Sequence, residues 1–158
     1  MSETNTVSRR QFCAGACQAA SGATLATLFA ACGGGASSPT SPSGMASALG
    51  VVAGRFASSR VQVTVAGSAL AAVGGAVLVE STAGVFLLAR TSESAFAAVE
   101  AVCTHEGCTI TGADSAAYVC PCHGSRYNRS GQVLAGPARA SLRQYITTFT
   151  DGVVTIAL

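Results

Sequence analysis

The chain has 158 residues, 49% of them apolar and only 10% charged, with a net charge of +2; this length suits one domain with a tail. So low a charge content, against about 25% in ordinary soluble domains, excludes a disordered polyelectrolyte, and nine arginines offset by seven acids make no case for a nucleic-acid partner. Seven cysteines are too few for a disulfide scaffold and, being odd in number, divide between different tasks.

The chain opens with an address. Ser8-Arg9-Arg10-Gln11-Phe12 is followed by the uncharged run Phe12 to Ala31, rich in Ala, Gly, Ser and Thr, and no charge appears from Gln11 to Gly54. A basic region before such a run reads as an export signal over residues 1–31, and it resembles the twin-arginine (Tat) signal that exports folded proteins. Leu28-Phe29-Ala30-Ala31-Cys32-Gly33 resembles a bacterial lipobox, with Cys32 the lipidation position and Phe29 standing where Leu is usual. Two other readings remain: an uncleaved membrane anchor, since twenty residues just span a ~30 Å hydrocarbon core, and cleavage without a lipid. All three put the domain outside the cytoplasm, in the periplasm or on the outer face of the cytoplasmic membrane, and the first two tether it there. Residues 32–55, with Gly-Gly-Gly and a Ser/Pro-rich run, have the chemistry of a flexible linker, leaving residues 56–158 as the folded domain.

That domain reads as strands. Val61-Gln62-Val63-Thr64-Val65 alternates with period two. Further short β-rich runs follow at 76–79, 85–88, 97–102, 117–120 and 132–134, separated by Gly or Ser clusters. Tyr145 to Thr150 and Val153 to Ile156 flank Asp151-Gly152, a strong hairpin signal. Short strands at this spacing predict a small all-β sandwich or barrel.

Two segments hold both histidines and four cysteines: Cys103-Thr104-His105-Glu106-Gly107-Cys108 and Cys120-Pro121-Cys122-His123-Gly124-Ser125. The stretch between them is long enough for a short hairpin turning at Gly112-Ala113-Asp114, which would bring both segments to one end. A Cys₂His₂ zinc site has the right ligand types, but one residue between Cys103 and His105 is short of the usual spacing and two cysteines are left over. Cys120-Pro121-Cys122-His123 is one residue short of a c-type haem motif. Structural disulfides alone give the histidines no role. An Fe₂S₂ cluster with two His replacing two Cys on one iron, plus a disulfide, uses all six residues.

The pair Cys-Thr-His-x-Gly-Cys and Cys-Pro-Cys-His-Gly-Ser resembles the Rieske iron–sulfur protein family. The resemblance covers roughly Val61 to Leu158 and implies a small antiparallel all-β sandwich or barrel with a cluster-binding subdomain, and a [2Fe-2S] cofactor. It implies Cys103 and Cys120 on one iron, His105 and His123 on the other, and a Cys108–Cys122 disulfide tying the loops. That bridging pair is similar to the high-potential branch of quinol–cytochrome c oxidoreductase complexes, and an oxidising periplasm suits it. Ser125 and Tyr127 stand where that branch places hydroxyls bonded to a sulfide and a Cys sulfur, and Gly136-Pro137 matches its third, cluster-covering loop. The resemblance implies one-electron transfer to a c-type cytochrome or within a membrane quinol-oxidising complex. One position departs from the pattern. Subunits that dock on a quinol site generally carry an apolar residue between His and Gly in the first loop, where this chain has Glu106. This favours a membrane-tethered electron carrier over a quinol-complex subunit, with a zinc-stapled binding module as the remaining class. Arg126, Arg129, Arg139 and Arg143 follow the second loop, either as a docking face for an acidic partner or as scattered solvated surface.

Overall fold

The computed structural model describes residues 46–158; the expected signal over 1–31, Cys32 and the first part of the 32–55 linker lie outside them. Thirteen strands and one 3₁₀ turn follow in order. They are β1 (Ser47–Ala48), β2 (Gly50–Ala53), β3 (Arg55–Ala57), β4 (Arg60–Thr64), the turn Ala69–Ala71, β5 (Ala76–Ser81), β6 (Gly84–Arg90) and β7 (Phe96–Glu100). After these come β8 (Gly112–Ala113), β9 (Tyr118–Val119), β10 (Arg126–Tyr127), β11 (Val133–Ala135), β12 (Gln144–Thr150) and β13 (Val153–Ala157). A large sheet runs β2-β5-β6-β7-β12-β13-β4-β3 and a small one β1-β8-β9-β10-β11. All pairings are antiparallel except β2 with β5.

Each strand's sequence pattern reports how many of its faces are covered. In β4, Val61 and Val63 are buried and their neighbours exposed, so the run alternates. In β5 and β6 the apolar residues are consecutive because both faces are packed. Val77, Val79, Phe86 and Leu88 join Val61, Val63, Leu70, Val154 and Ile156 in one core. Leu78, Leu87 and Ala89 point the other way, into a second core with Val99, Ile110, Tyr118, Tyr127 and Leu142. That second core lies between the large sheet and the small one.

Strand pairing begins before residue 56, the domain start expected from composition. β1 and β2 lie inside the stretch read as linker, and β3 straddles its end. The Ala/Leu/Val run after residue 45 can pair where the Gly/Ser/Pro run before it lacks strand-forming residues: Gly50–Ala53 align along Val77–Glu80, and Ser47–Ala48 along Gly112–Ala113.

Four strands of the small sheet, β8 to β11, form an insertion; its edge strand β1 comes from the N-terminal side. β7 and β12 are neighbours in the large sheet, with Gln144 opposite Val99 and Tyr145 opposite Ala98. The chain leaves after β7, builds β8 to β11 and returns beside its exit. Glu100 N donates to Arg143 O at 2.8 Å across that neck. The three loops carrying the sequence motifs all belong to this insertion.

Candidate metal centre

The two cluster motifs fold into the same six-residue loop. In the first, Cys103 N donates to Cys108 O at 2.8 Å and Gly107 N to Cys103 O at 2.9 Å; in the second, Cys120 N donates to Ser125 O at 2.9 Å and Gly124 N to Cys120 O at 3.0 Å. Gly107 and Gly124 hold φ of 76° and 73°, a left-handed turn that residues with a Cβ resist. The repeat puts Cys103 and Cys120 at equivalent positions, Cys108 opposite Ser125, and Glu106 where the second loop has His123. A bridge between Val102 and Thr109 closes the neck of the first loop.

Side chains from both loops converge. Cys108 and Cys122 are joined in a disulfide across Cα atoms 6.6 Å apart. Cys103 and Cys120 are free thiols, both buried. His105 and His123 rings lie edge to face with centroids 5.0 Å apart, and their side chains are 27% and 49% exposed. Thus two buried sulfurs lie inside and two imidazoles toward solvent. The Cys120 sulfur is also within 4.8 Å of both disulfide sulfurs, but sulfurs consumed in a disulfide are not thiolate ligands.

Hydrogen bonds assign proton positions around Cys103. Thr104 Oγ1 donates to Ala140 O at 2.6 Å, so its only proton is committed. The Tyr127 hydroxyl accepts the Thr104 N–H at 3.2 Å, which leaves its own proton for Cys103 Sγ at 3.2 Å or Thr104 Oγ1 at 3.1 Å. Burial acts to raise the Cys103 thiol. Hydrogen bonds from Tyr127, the backbone at His105, Cys120 and Ser125 outweigh it, and the thiol titrates below its usual value. Cys120 is pushed up, by burial first and then by its neighbour Cys103: the first thiolate to form is Cys103, and it opposes the second.

Ser125 is fully buried and its Oγ accepts the Ala138 N–H at 3.2 Å, so its own proton is free to donate toward the sulfurs. That contact carries the third loop. Gly136 has φ of 99°, and a Cβ there would stand 2.6 Å from Ser125 Cα, so the loop packs backbone against backbone on the second cluster loop. Pro137 follows directly. These two positions cover the metal centre through Ser125.

Sequence reading missed Thr104 and the lock on the opposite side. Asp114 accepts from Ala116 N at 2.9 Å, Ala117 N at 2.8 Å and the Arg126 guanidinium, tying the β8–β9 turn to the strand that follows the second cluster loop. The backbone bonds from Ala116, then Arg126, bring the Asp114 carboxyl down to about 2. The local signal was the Asp in a two-residue-on turn; Arg126 carries none.

The iron–sulfur cluster implied by the motifs fits these residues. Two buried free thiols, that of Cys103 held below its usual value by hydrogen bonds, and two solvent-side imidazoles make a mixed sulfur and nitrogen donor set. Two buried hydroxyls supply donors to the sulfurs.

A family model described as the Rieske [2Fe-2S] domain matches residues 59–146. Curated relatives include the cytochrome b6-f complex iron-sulfur subunit of Chlorobaculum tepidum, 37% identical over 62 residues that cover 39% of this chain and 34% of that protein. Subunit 2 of the same complex from Synechocystis sp. is 48% identical over 54 residues, 34% of this chain and 30% of that protein. The match spans about a third of the length of these relatives. Among solved structures, the cyanobacterial plasma membrane Rieske protein PetC3 from Synechocystis PCC 6803 has 28% identity and a TM-score of 0.48, covering 52% of this chain and 86% of that one.

Proposed function

The chain belongs to the Rieske [2Fe-2S] domain family, and from that premise we propose an exported, membrane-tethered carrier of single electrons with Cys103 and Cys120 on one iron and His105 and His123 on the other. The observation that carries this reading is the pairing of two buried free thiols with two solvent-side imidazoles in loops stapled by Cys108–Cys122. When bound, the cluster supplies reversible one-electron chemistry. The chain's own residues do the rest. Tyr127 and Ser125 direct O–H protons toward sulfur, which favours the more negative, reduced state. The disulfide holds the two loops in register, and Gly136-Pro137 shields the sulfur side while the imidazole side stays open to a partner.

The tether is the lipid on Cys32 or the uncleaved 12–31 segment, after Tat-like export to the periplasmic side. No helix among the described residues is long and apolar enough to cross a membrane. A c-type cytochrome is the fitting soluble partner. The second reading, a Rieske subunit of a quinol-oxidising complex, draws support from the printed identity of the relatives as cytochrome b6-f subunits. Against it stands Glu106, 59% exposed between the two imidazoles.

Purified holoprotein should be brown, with two irons and two sulfides per chain. His105→Ala or His123→Ala should abolish assembly; retention of two irons with an unchanged EPR spectrum would overturn the ligand assignment. A colourless zinc protein would favour the binding-module class instead. Mass spectrometry of the mature chain tests the tether: Cys32→Ser should block acylation, and a wild-type chain starting elsewhere without lipid mass rules it out.

A further inference from the structure

Of the four arginines that follow the second cluster loop, three are committed elsewhere. Arg126 pairs with Asp114. Arg129 donates to Asp114 O at 2.7 Å and stacks 4.6 Å over the Tyr118 ring. Arg143 lies 5.0 Å over Tyr145. Arg126 and Arg129 are thus tied to the Asp114 turn and Arg143 to the Tyr145 ring. Arg139 is exposed and has no hydrogen-bond, ion-pair or aromatic partner among the described residues. With Thr104, His105, Gly136 and Pro137 it lines an open groove of about 530 Å³. At His105 also stands Glu106, whose carboxylate lies 3.7 Å from His105 Nε2 and 3.6 Å from His123 Nδ1. His105 thus has an unpaired cation in its groove, and both imidazoles have the exposed Glu106 carboxylate against their rings.

We propose that Arg139 and Glu106 form a two-sign docking face that orients a protein redox partner, a partner carboxylate seating against Arg139 and a partner basic side chain against Glu106. The proposal rests on the electron-carrier reading above. A single exposed guanidinium gains too little from an ion pair in water to hold a free anion; a protein surface adds the other contacts. Opposite charges flanking the same His105 ring offset each other at long range, so the pair contributes little to steering but fixes the partner's rotation once in contact. The chain's net charge of only +2 agrees with contact-range selection.

The test uses reduced holoprotein and two one-electron oxidants, anionic hexacyanoferrate(III) and cationic tris(phenanthroline)cobalt(III), in stopped flow. At low ionic strength Arg139→Gln should slow the anion and speed the cation by about two- to tenfold, and Glu106→Gln should do the reverse; the differences should vanish near 1 M salt, where the Debye length is about 3 Å. Redox-inert, paramagnetic hexacyanochromate(III) should broaden the amide resonances of Thr104, Arg139 and Ala140, and should not in Arg139→Gln. The double swap Glu106→Arg with Arg139→Glu keeps the net charge. It should slow oxidation by a soluble c-type cytochrome, at matched driving force. Rates that respond equally to Arg60→Gln on β4, broadening centred on other arginines, or unchanged oxidation of the double swap would each overturn the docking face. Competition by millimolar phosphate at constant ionic strength would make the groove a free-anion site and overturn it too. Loss of the reading beneath is separate: a protein without a Rieske-type EPR spectrum defeats the carrier function itself, whereas an intact spectrum with charge-blind rates defeats only the docking face.

Discussion

At Tyr127 a single proton has two acceptors, and the choice is readable as a redox potential. Because Thr104 Oγ1 gives its proton to Ala140 O, Tyr127 divides its own between Cys103 Sγ and Thr104 Oγ1. Tyr127→Phe removes the donor to sulfur and should lower the midpoint potential by roughly 45–90 mV, the equivalent of about 1–2 kcal/mol for one electron. Thr104→Val removes the competing acceptor, leaves the sulfur as sole recipient and should shift the potential upward. Voltammetry on the two variants reads both signs; a common direction would refute this sharing. Ser125→Ala acts through packing as well, since the Ala138 N–H loses its acceptor in a fully buried place, a loss of about 1–3 kcal/mol.

Turns and locks carry the next set of expectations. Ser58 and Ser59 join β3 to β4 with φ of 51° and 58°, a two-residue turn with both residues left-handed, which Ser adopts at a cost of about 1 kcal/mol or more each. Asn-Gly is the pair this geometry favours, so Ser58→Asn with Ser59→Gly should raise the Tm by several degrees. The Asp114 lock has a pH signature. Its carboxyl is held at about 2 in the folded protein against about 3.9 unfolded, so the stability it contributes is intact above about pH 4 and is lost as pH falls toward 2. Asp114→Asn removes the charge paired with Arg126, and denaturation from pH 5 to 2 should show less acid sensitivity than wild type. These elements also mark what the sequence could reveal. The runs at 61–65, 76–79, 85–88, 145–150 and 153–156 overlap strands along most of their length, because burial of one or both faces imposes the pattern, whereas 97–102 runs past the end of β7 and 117–120 holds only the two-residue β9. β1, β8 and β10 have two residues each, too short for any period, and the β3–β4 turn lacks Gly. The cluster loops were legible because cluster ligation demands particular side chains at fixed spacing. The Thr104–Ala140 and Asp114–Arg126 bonds were not, because partners 36 and 12 residues apart share no local pattern. Nor could four arginines close in sequence disclose that three are spent on different neighbours.

Across the whole molecule, Cys108–Cys122 is the one covalent link between the cluster loops. It closes 14 residues, and removing it with Cys108→Ala and Cys122→Ala should lower stability by about 3 kcal/mol and hasten cluster loss on heating, measured by the decay of visible absorbance. The insertion between β7 and β12 has a wider consequence. Everything from Ala101 to Leu142 forms a cassette whose exit and return share one rung of the large sheet, with β1 of the frame pairing against its strand β8. Its inner wall, however, is also the cover for Leu78, Leu87 and Val99. A molecule whose cassette melts keeps a folded frame and uncovers a greasy face, the kind of surface that chaperones and proteases recognise. Iron loading should therefore keep that face covered. Apoprotein should be clipped by proteases between residues 101 and 142 and bind a hydrophobic dye, while the loaded protein resists both, so that an export route reserved for finished molecules would have a physical difference to inspect.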